Sequence, residues 1–334
     1  MDTTALALPK GRRVGQPGHD IARQYLVERL AELKIAPWKG EDYAITYDRP
    51  LPNTRAMQRF TNLIGVIPGA DRSLAPILLG AHYDSVIDAP CADDNATSVA
   101  LNLAIAEEFQ PGELERDLVI AFFDAEEPPH FLGPTMGSRR FVEDHCQGID
   151  FAGVIVSDLI GHDLKLADLG VKVPGGDFIL PHTRKTLFVM GAESDSILPP
   201  IVEEVAGQID GLYVFPTLSR YIGAPSDHHA FEKAGHPTLF LSCAQGRYYH
   251  DVRDDLKWIN FEKLAQITEF TEGCIRGIDA KAERQRKGTC DPFDFELRMI
   301  QKAVGPVLPV ILKSFGITIP QSRADLDKMI GMMV

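Results

Sequence analysis

Two acidic stretches carry the residue types that could do chemistry. One runs Ala81-His82-Tyr83-Asp84-Ser85 and on to Ala92-Asp93-Asp94-Asn95-Ala96; the other is Phe122-Phe123-Asp124-Ala125-Glu126-Glu127. With Asp158 and His250 they offer five candidate ligands at strand ends or in adjoining loops: His82, Asp94, Glu127, Asp158 and His250. Imidazole and carboxylate without thiolate suit Zn²⁺, with Co²⁺ or Mn²⁺ as substitutes. Two tetrahedral sites sharing one carboxylate need about five such side chains, the rest being water. Two cations so placed can together polarise a carbonyl and activate water. The chemistry also needs a base that is not itself coordinated, and adjacent Glu126 and Glu127 can divide those roles because neighbouring side chains point different ways.

Apolar runs must position these groups. Ile77-Leu78-Leu79-Gly80 precedes the first stretch, Leu118-Val119-Ile120-Ala121 the second, and Gly153–Ser157 leads into Asp158. Continuous apolar runs bounded by polar residues predict strands of an α/β sheet covered on both faces. Such sheets gather their sites at strand carboxyl ends. One His at a strand end, or one glutamate pair, is ordinarily structural or solvated; five such groups, each delivered by its own strand or loop, are harder to explain that way.

The remaining elements follow from periodicity and breakers. Residues 1–16 read as loosely structured, with Gly11-Arg12-Arg13 and Gly15 breaking any period. Asp20 is expected to cap a helix with Ala22, Leu26, Leu30 and Leu33 on one face. Strands are expected over Tyr43–Tyr47, Leu63–Ile67, Leu187–Met190 and Pro237–Ser242, and helices over Ala96–Phe109, Gly137–Asp144, Ser196–Gly207, His229–Ala234 and residues 260–279. Pro128-Pro129 forbids immediate helix formation and opens a loop to Thr135. Residues 164–185 show little period and read as a loop or lid over the site. The division expected is a catalytic domain over 15–280, then a charged linker and a helical extension over 281–334, packing on the domain or serving a partner subunit in a homo-oligomer.

Composition narrows the class. The 334 residues are 45% hydrophobic, enough for a sizeable core. A net charge of −13 argues against nucleic-acid binding, which needs Lys and Arg on phosphates. The five cysteines, Cys91, Cys146, Cys243, Cys274 and Cys290, form no C-x-x-C pair and read as reduced thiols of a cytosolic protein. No leader and no run of about 18 apolar residues is visible, so no membrane association is expected. A chain cut from a longer, exported protein would look the same.

The series His-Tyr-Asp-Ser, Ala-Asp-Asp-Asn-Ala, Asp-Ala-Glu-Glu, Ser-Asp-Leu-Ile-Gly, Ser-Asp-His and Tyr-His-Asp resembles the co-catalytic zinc aminopeptidases, the clan of bacterial leucyl aminopeptidase and glutamate carboxypeptidase, over roughly residues 15–280. The resemblance implies a three-layer α/β/α sandwich with a mixed, mostly parallel sheet, two zinc ions per chain and a peptide substrate. Residue by residue, Asp94 resembles the bridging carboxylate; His82 and Asp158 complete one zinc site, Glu127 and His250 the other. Glu126 resembles the general base that takes a proton from metal-bound water and passes it to the leaving amine. Asp84 resembles the partner that holds the His82 ring. The resemblance also implies a cis peptide after Asp94. Tyr221 is the nearest tyrosine for oxyanion stabilisation, Asp227 and His228 match the supportive Ser-Asp-His motif, and Tyr221 and Asp227 are the expected substrate contacts.

The alternative within the clan is a glutaminyl cyclase, which closes N-terminal glutamine to pyroglutamate with one zinc. Phe-Phe-Asp-x-Glu-Glu, the Phe131 loop and Asp-Leu-Ile-Gly suit it; Tyr249, where cyclases carry Trp, and Asp94-Asn95-Ala96 do not. A non-catalytic receptor-like domain and a carboxypeptidase for acidic substrates are weaker readings. The first is opposed by the complete ligand set, the second by the want of a compelling basic pocket among Arg139, Arg140, Arg220 and Arg247.

Overall fold

A computed structural model describes residues 2–51, 54, 56–165, 184–281, 288–304 and 318–330. Nine strands form one sheet: β1 (Ala36–Pro37), β2 (Ala44–Pro50), β3 (Met57–Ile67), β4 (Ile77–His82), β5 (Leu118–Phe123), β6 (Gly153–Ser157), β7 (Thr186–Met190), β8 (Tyr213–Thr217) and β9 (Thr238–Ser242). Their order is β1-β3-β5-β4-β6-β9-β7-β8, with β2 also on β3. The central strands β5, β4, β6 and β9 run parallel. β3 is antiparallel to β5, and the β7–β8 pair is antiparallel to β9.

Every residue of β4, β5, β6 and β9 is buried, as strands covered on both faces require. Alternation along them splits the core in two. Leu63, Ile77, Leu79, Ala81, Ile120, Phe122 and Ile155 face one layer, which contains helices α2 (Pro17–Glu32), α3 (Thr97–Glu108), α5 (Leu198–Ala206) and α8 (Phe261–Lys281). Ile64, Leu78, Val119, Ala121, Phe123 and Val154 face the other, with Phe141 of α4 (Gly137–His145) and Phe231 of α7 (His228–Lys233), which follows the short α6 (Ser219–Ile222). The fold is thus the expected α/β architecture, with helices on both sides of a mixed sheet.

Most expected elements form within a few residues of their predicted ends. Two expectations near the amino terminus are corrected. The helix expected from Asp20 starts at Pro17: Gln16 is its cap, and proline at the first helical position loses no hydrogen bond there. Residues 2–16 are not loose. They form α1 (Asp2–Leu6) and then a turn at Gly11, whose φ of +67° packs its Cα against the Ile87 and Ala89 backbone; a Cβ there would lie 2.3 Å from Ile87 O. That turn seats the next side chain, Arg12, at 0% exposure.

The lid expected over 164–185 and the linker expected at Lys281–Lys287 fall largely on residues outside the described ones. Beyond them, α9 (Phe293–Val304) buries Phe295 and Met299 in the main core. Helix α10 (Arg323–Ile330) buries Leu326, Met329 and Ile330 with Ile300, against Phe215 and Tyr221. All five thiols are unpaired. Among the described residues no helix is long and apolar enough to cross a membrane.

Candidate metal centre

Parallel register brings the groups together. His82 closes β4 opposite Phe123 of β5, so the Asp124–Glu127 loop leaves the sheet beside it. On the other side β6 ends at Ser157 and delivers Asp158. β9 ends at Ser242, and the following loop returns His250 to the same edge. Asp94 arrives on a wide, irregular helical turn, Ala92–Ala96, whose backbone departs from helical values at Asp94 and Asn95. The Asp94–Asn95 peptide is cis, as the resemblance implied. Cys91, Ala125, Leu159 and His250 have left-handed φ values of 45°, 55°, 57° and 55°. Non-glycine residues rarely adopt that region, and these four of the seven that do so among the described residues lie at or within three positions of the clustered groups, a concentration seen at functional sites.

Asp94 stands between two imidazoles. Its Oδ1 lies 3.4 Å from His82 Nε2, and its Oδ2 lies 3.4 Å from His250 Nε2. His82 Nε2 is also 3.6 Å from Asp158 Oδ1, and His250 Nε2 is 3.1 Å from Glu127 Oε2. Two triads therefore share one carboxylate. Donors about 2.0–2.1 Å from zinc at tetrahedral corners lie roughly 3.3 Å apart, so these spacings fit a cation among each set. The chemistry of the buried atoms agrees. Asp94 Oδ2, Glu127 Oε1 and Asp158 Oδ1 are buried without a hydrogen-bond donor, a costly arrangement that cations would relieve. His82, Asp94 and Glu127 alone already place three ligand atoms within 4.8 Å of one another.

The electrostatics follow from crowding carboxylates out of water. Burial pushes Glu126 well above its usual range; His82 opposes this, while Asp158, Asp227 and Glu127 add to it. Burial and Asp94 push Glu127 up to about 8. Asp94 itself moves down: burial works against its ionisation, but the His250 and His82 imidazoles on either side outweigh it. Desolvation would lower both histidines, yet the surrounding carboxylates raise His82 well above normal and His250 to about 10. Glu126 Oε2 stands 3.9 Å from His82 Nε2, close to the cluster but not within either triad.

Asp84 is fully buried behind the clustered groups. Its Oδ1 accepts the Glu126 backbone N–H at 3.1 Å and its Oδ2 that of Glu127 at 3.2 Å, while Oδ1 lies 3.4 Å from His82 Nδ1. His82 thus presents Nε2 to the cluster with Nδ1 turned to a carboxylate.

Two sequence expectations are corrected. Tyr221 does not face this centre: its hydroxyl donates to Asp327 of α10, and its ring packs on the carboxyl-terminal helices. Asp227 has no exposed surface and so cannot touch a substrate. It lies near His82 and Asp158, and burial lifts it to about 7. His228 is likewise supportive, its ring stacked on Phe240 at 4.1 Å.

Sequence reasoning missed a supporting frame. Asp254 accepts the backbone N–H of Asp93 at 2.9 Å and of Asp94 at 3.0 Å. Asp93 accepts from Gly161 N and pairs with His162 Nδ1 at 2.5 Å. Arg12 donates to the carbonyls of Tyr83, Leu6, Pro90, Cys91 and Asp94. Tyr249, 36% exposed, stacks on His250 at 3.8 Å. Nothing local in the sequence marks Asp254 or Arg12, because each acts on backbone groups far along the chain.

The sequence matches the profile of Peptidase family M28 over residues 62–273. Among curated relatives, leucine aminopeptidase 1 of Leptosphaeria maculans is 25% identical over 233 residues, 64% of this chain. The chain spans 54% of that relative's length. Among solved structures, a Zn-dependent exopeptidase from Parabacteroides distasonis superposes with a TM-score of 0.62 at 16% identity, covering 82% of this chain and 95% of its own. The glutaminyl cyclase of Tannerella forsythia does so with 0.63 at 18% identity, covering 82% and 96%. At these identities the two structures speak to the fold.

Proposed function

The chain belongs to peptidase family M28, and from that membership we propose that it is a metal-dependent aminopeptidase releasing N-terminal residues from peptides. The observation that carries the proposal is the sharing of Asp94, one oxygen toward His82 and the other toward His250. His82 and Asp158 would hold one zinc ion, Glu127 and His250 a second, with Asp94 between them. When bound, the pair supplies polarisation of the scissile carbonyl and a lowered pKa for the attacking water.

The protein's own groups do the rest. Glu126 accepts the proton of the attacking water and hands it to the leaving amine; it stands beside the cluster but outside both triads, free to take and give a proton. Asp84 fixes where Glu126 and Glu127 stand through their backbone N–H groups, and orients His82. The same negative surroundings attract the free α-amine that distinguishes an N-terminal residue.

The test is activity on a leucine anilide and on a glutaminyl peptide, before and after chelation and zinc reloading. Chelator-sensitive hydrolysis of the anilide, restored by zinc, is expected. Cyclisation of the glutaminyl peptide without anilide hydrolysis would replace this reading with the cyclase.

A further inference from the structure

Helices α9 and α10 lie outside the matched residues 62–273, yet they reach back toward the metal edge of the sheet through one short element. That element is α6, the turn between β8 and the buried Ser226-Asp227 pair.

The extension touches both holds on α6. At its start, Glu193 Oε1 accepts the Ser219 N–H at 2.8 Å, and the Glu193 carbonyl accepts the N–H of Cys290 at 2.9 Å. On its outer side, Asp327 of α10 accepts from Arg220 Nη2 at 2.6 Å and from the Tyr221 hydroxyl. The Tyr221 ring packs on the cluster of Leu326, Met329 and Ile330. Arg220 and Ile222 are exposed, so α10 seats the outer half of this turn. Helix α10 is itself anchored. Its Arg323 donates to Asp291 at 2.9 Å and pairs with Glu296 of α9, which is 1% exposed. Separating that pair would leave a buried carboxylate uncompensated, so α10 is a firm abutment rather than a loose tail.

Beyond α6 the chain reaches the metal centre quickly. Only Gly223-Ala224-Pro225 separates Ile222 from Ser226, and proline fixes its own φ, so little slack lies between them. Ser226 and Asp227 are wholly buried. Asp227 lies near His82 and Asp158, and the Ser226 side chain lies beside Asp158. The path from Asp327 to the His82–Asp158 side therefore runs through one helical turn and one short connection.

We propose that the carboxy-terminal extension is a positioning element of the metal centre: Asp327 holds α6 in place, and α6 holds the Ser226-Asp227 turn against the His82–Asp158 side. The inference rests on the metal reading given above and carries it to residues outside the family match.

The test compares the two metal positions in the full chain. Zinc affinity is measured by chelator competition in H250A, where the His82–Asp158 side binds, and in D158A, where the Glu127–His250 side binds. Adding D327A weakens zinc about tenfold in the first background, the lower end of the cost of losing an orienting partner. In the second it changes affinity by no more than about twofold. Hydrogen exchange of the metal-free chain speeds up at amides 219–228 in D327A. R220Q/Y221F reproduces both effects, and adding D327A to it takes them no further, as one shared contact requires. Equal weakening on both sides, weakening on neither, or faster exchange confined to α10 overturns the proposal. If the parent chain binds no zinc, the metal reading has failed and exchange alone decides. Faster exchange at 226–228 in D327A then sustains the coupling, and unchanged exchange there ends it.

Discussion

The Asp84 carboxylate accepts the backbone N–H of Glu126 at 3.1 Å, so the end of β4 dictates where the loop after β5 presents its glutamates. The same carboxylate holds the Glu127 amide and faces His82 Nδ1. One buried anion thus orients two proposed ligands and the proposed base. Asp84→Asn keeps the shape but replaces one acceptor oxygen with an amide donor facing an N–H. Zinc affinity is expected to fall about 10–100-fold, the usual cost of losing a ligand's orienting partner. Competition with a chromogenic chelator measures it; unchanged affinity would refute the role assigned to Asp84.

Glu126 belongs to neither triad, which separates base from ligand experimentally. Glu126→Gln should lower kcat by about 10²–10⁴-fold, the range for a positioned acid–base group, while zinc content stays at the parent value. Elemental analysis run beside the kinetics decides it. Loss of metal together with activity would make Glu126 a ligand instead.

Asp94 is the one group common to both triads. Asp94→Ala is therefore expected to disturb both metal positions at once, whereas His250→Ala should leave the His82–Asp158 side able to hold one ion. Metal counted per chain after gel filtration checks this: two for the parent, one for His250→Ala, and less than one for Asp94→Ala. A parent that holds a single ion would favour the cyclase alternative.

How much of this could be read from the chain alone depended on the range over which each signal acts. The ligand strands were legible because apolar runs such as Ile77–Gly80 declare themselves within a few residues, and register then fixes what lies at their ends. The five proposed ligands followed, each within a residue or a loop of a strand. Arg12 was not legible, because a guanidinium beside two glycines resembles an exposed loop until Gly11 is seen to pack on Ile87. Asp254 was equally hidden, since its bonds go to amides 160 and 161 positions away. Tyr221 was chosen for nearness in sequence, but its chain neighbours lead it toward α10.

Arg12 gives a stability prediction. All five of its side-chain N–H groups reach backbone carbonyls on α1 and on the segments carrying His82 and Asp94, in a fully buried setting. Burial lowers its pKa, opposed by Cys91 and by Asp94, Asp84 and Asp254. Arg12→Met would leave several carbonyls unpaired at about 1–3 kcal/mol each, so a loss of at least roughly 3 kcal/mol is expected. Arg12→Lys, with three donors and no planar fork, should not rescue it. Denaturant melts test both; a lysine variant as stable as the parent would remove the argument.

His19 carries the pH dependence. Its Nε2 lies 2.8 Å from Asp124 Oδ1, its ring stacks on Tyr83 at 5.0 Å, and Asp124 Oδ2 accepts the Thr61 amide at 2.6 Å. Burial alone would lower the His19 pKa, but Asp124 reverses that and leaves it raised. A histidine whose folded pKa lies above its unfolded value near 6.5 contributes ion-pair stability fully below that pH. The contribution then fades as pH rises through the raised folded value. His19→Gln preserves a hydrogen-bond donor but removes the charge and the stacked ring, and only the loss of charge depends on pH. It should cost about 2 kcal/mol at pH 6 and about 1 kcal/mol or less at pH 9. Urea titrations of both proteins at the two pH values give the difference directly, and a larger cost at pH 9 than at pH 6 would reverse the sign on which this ion pair is argued.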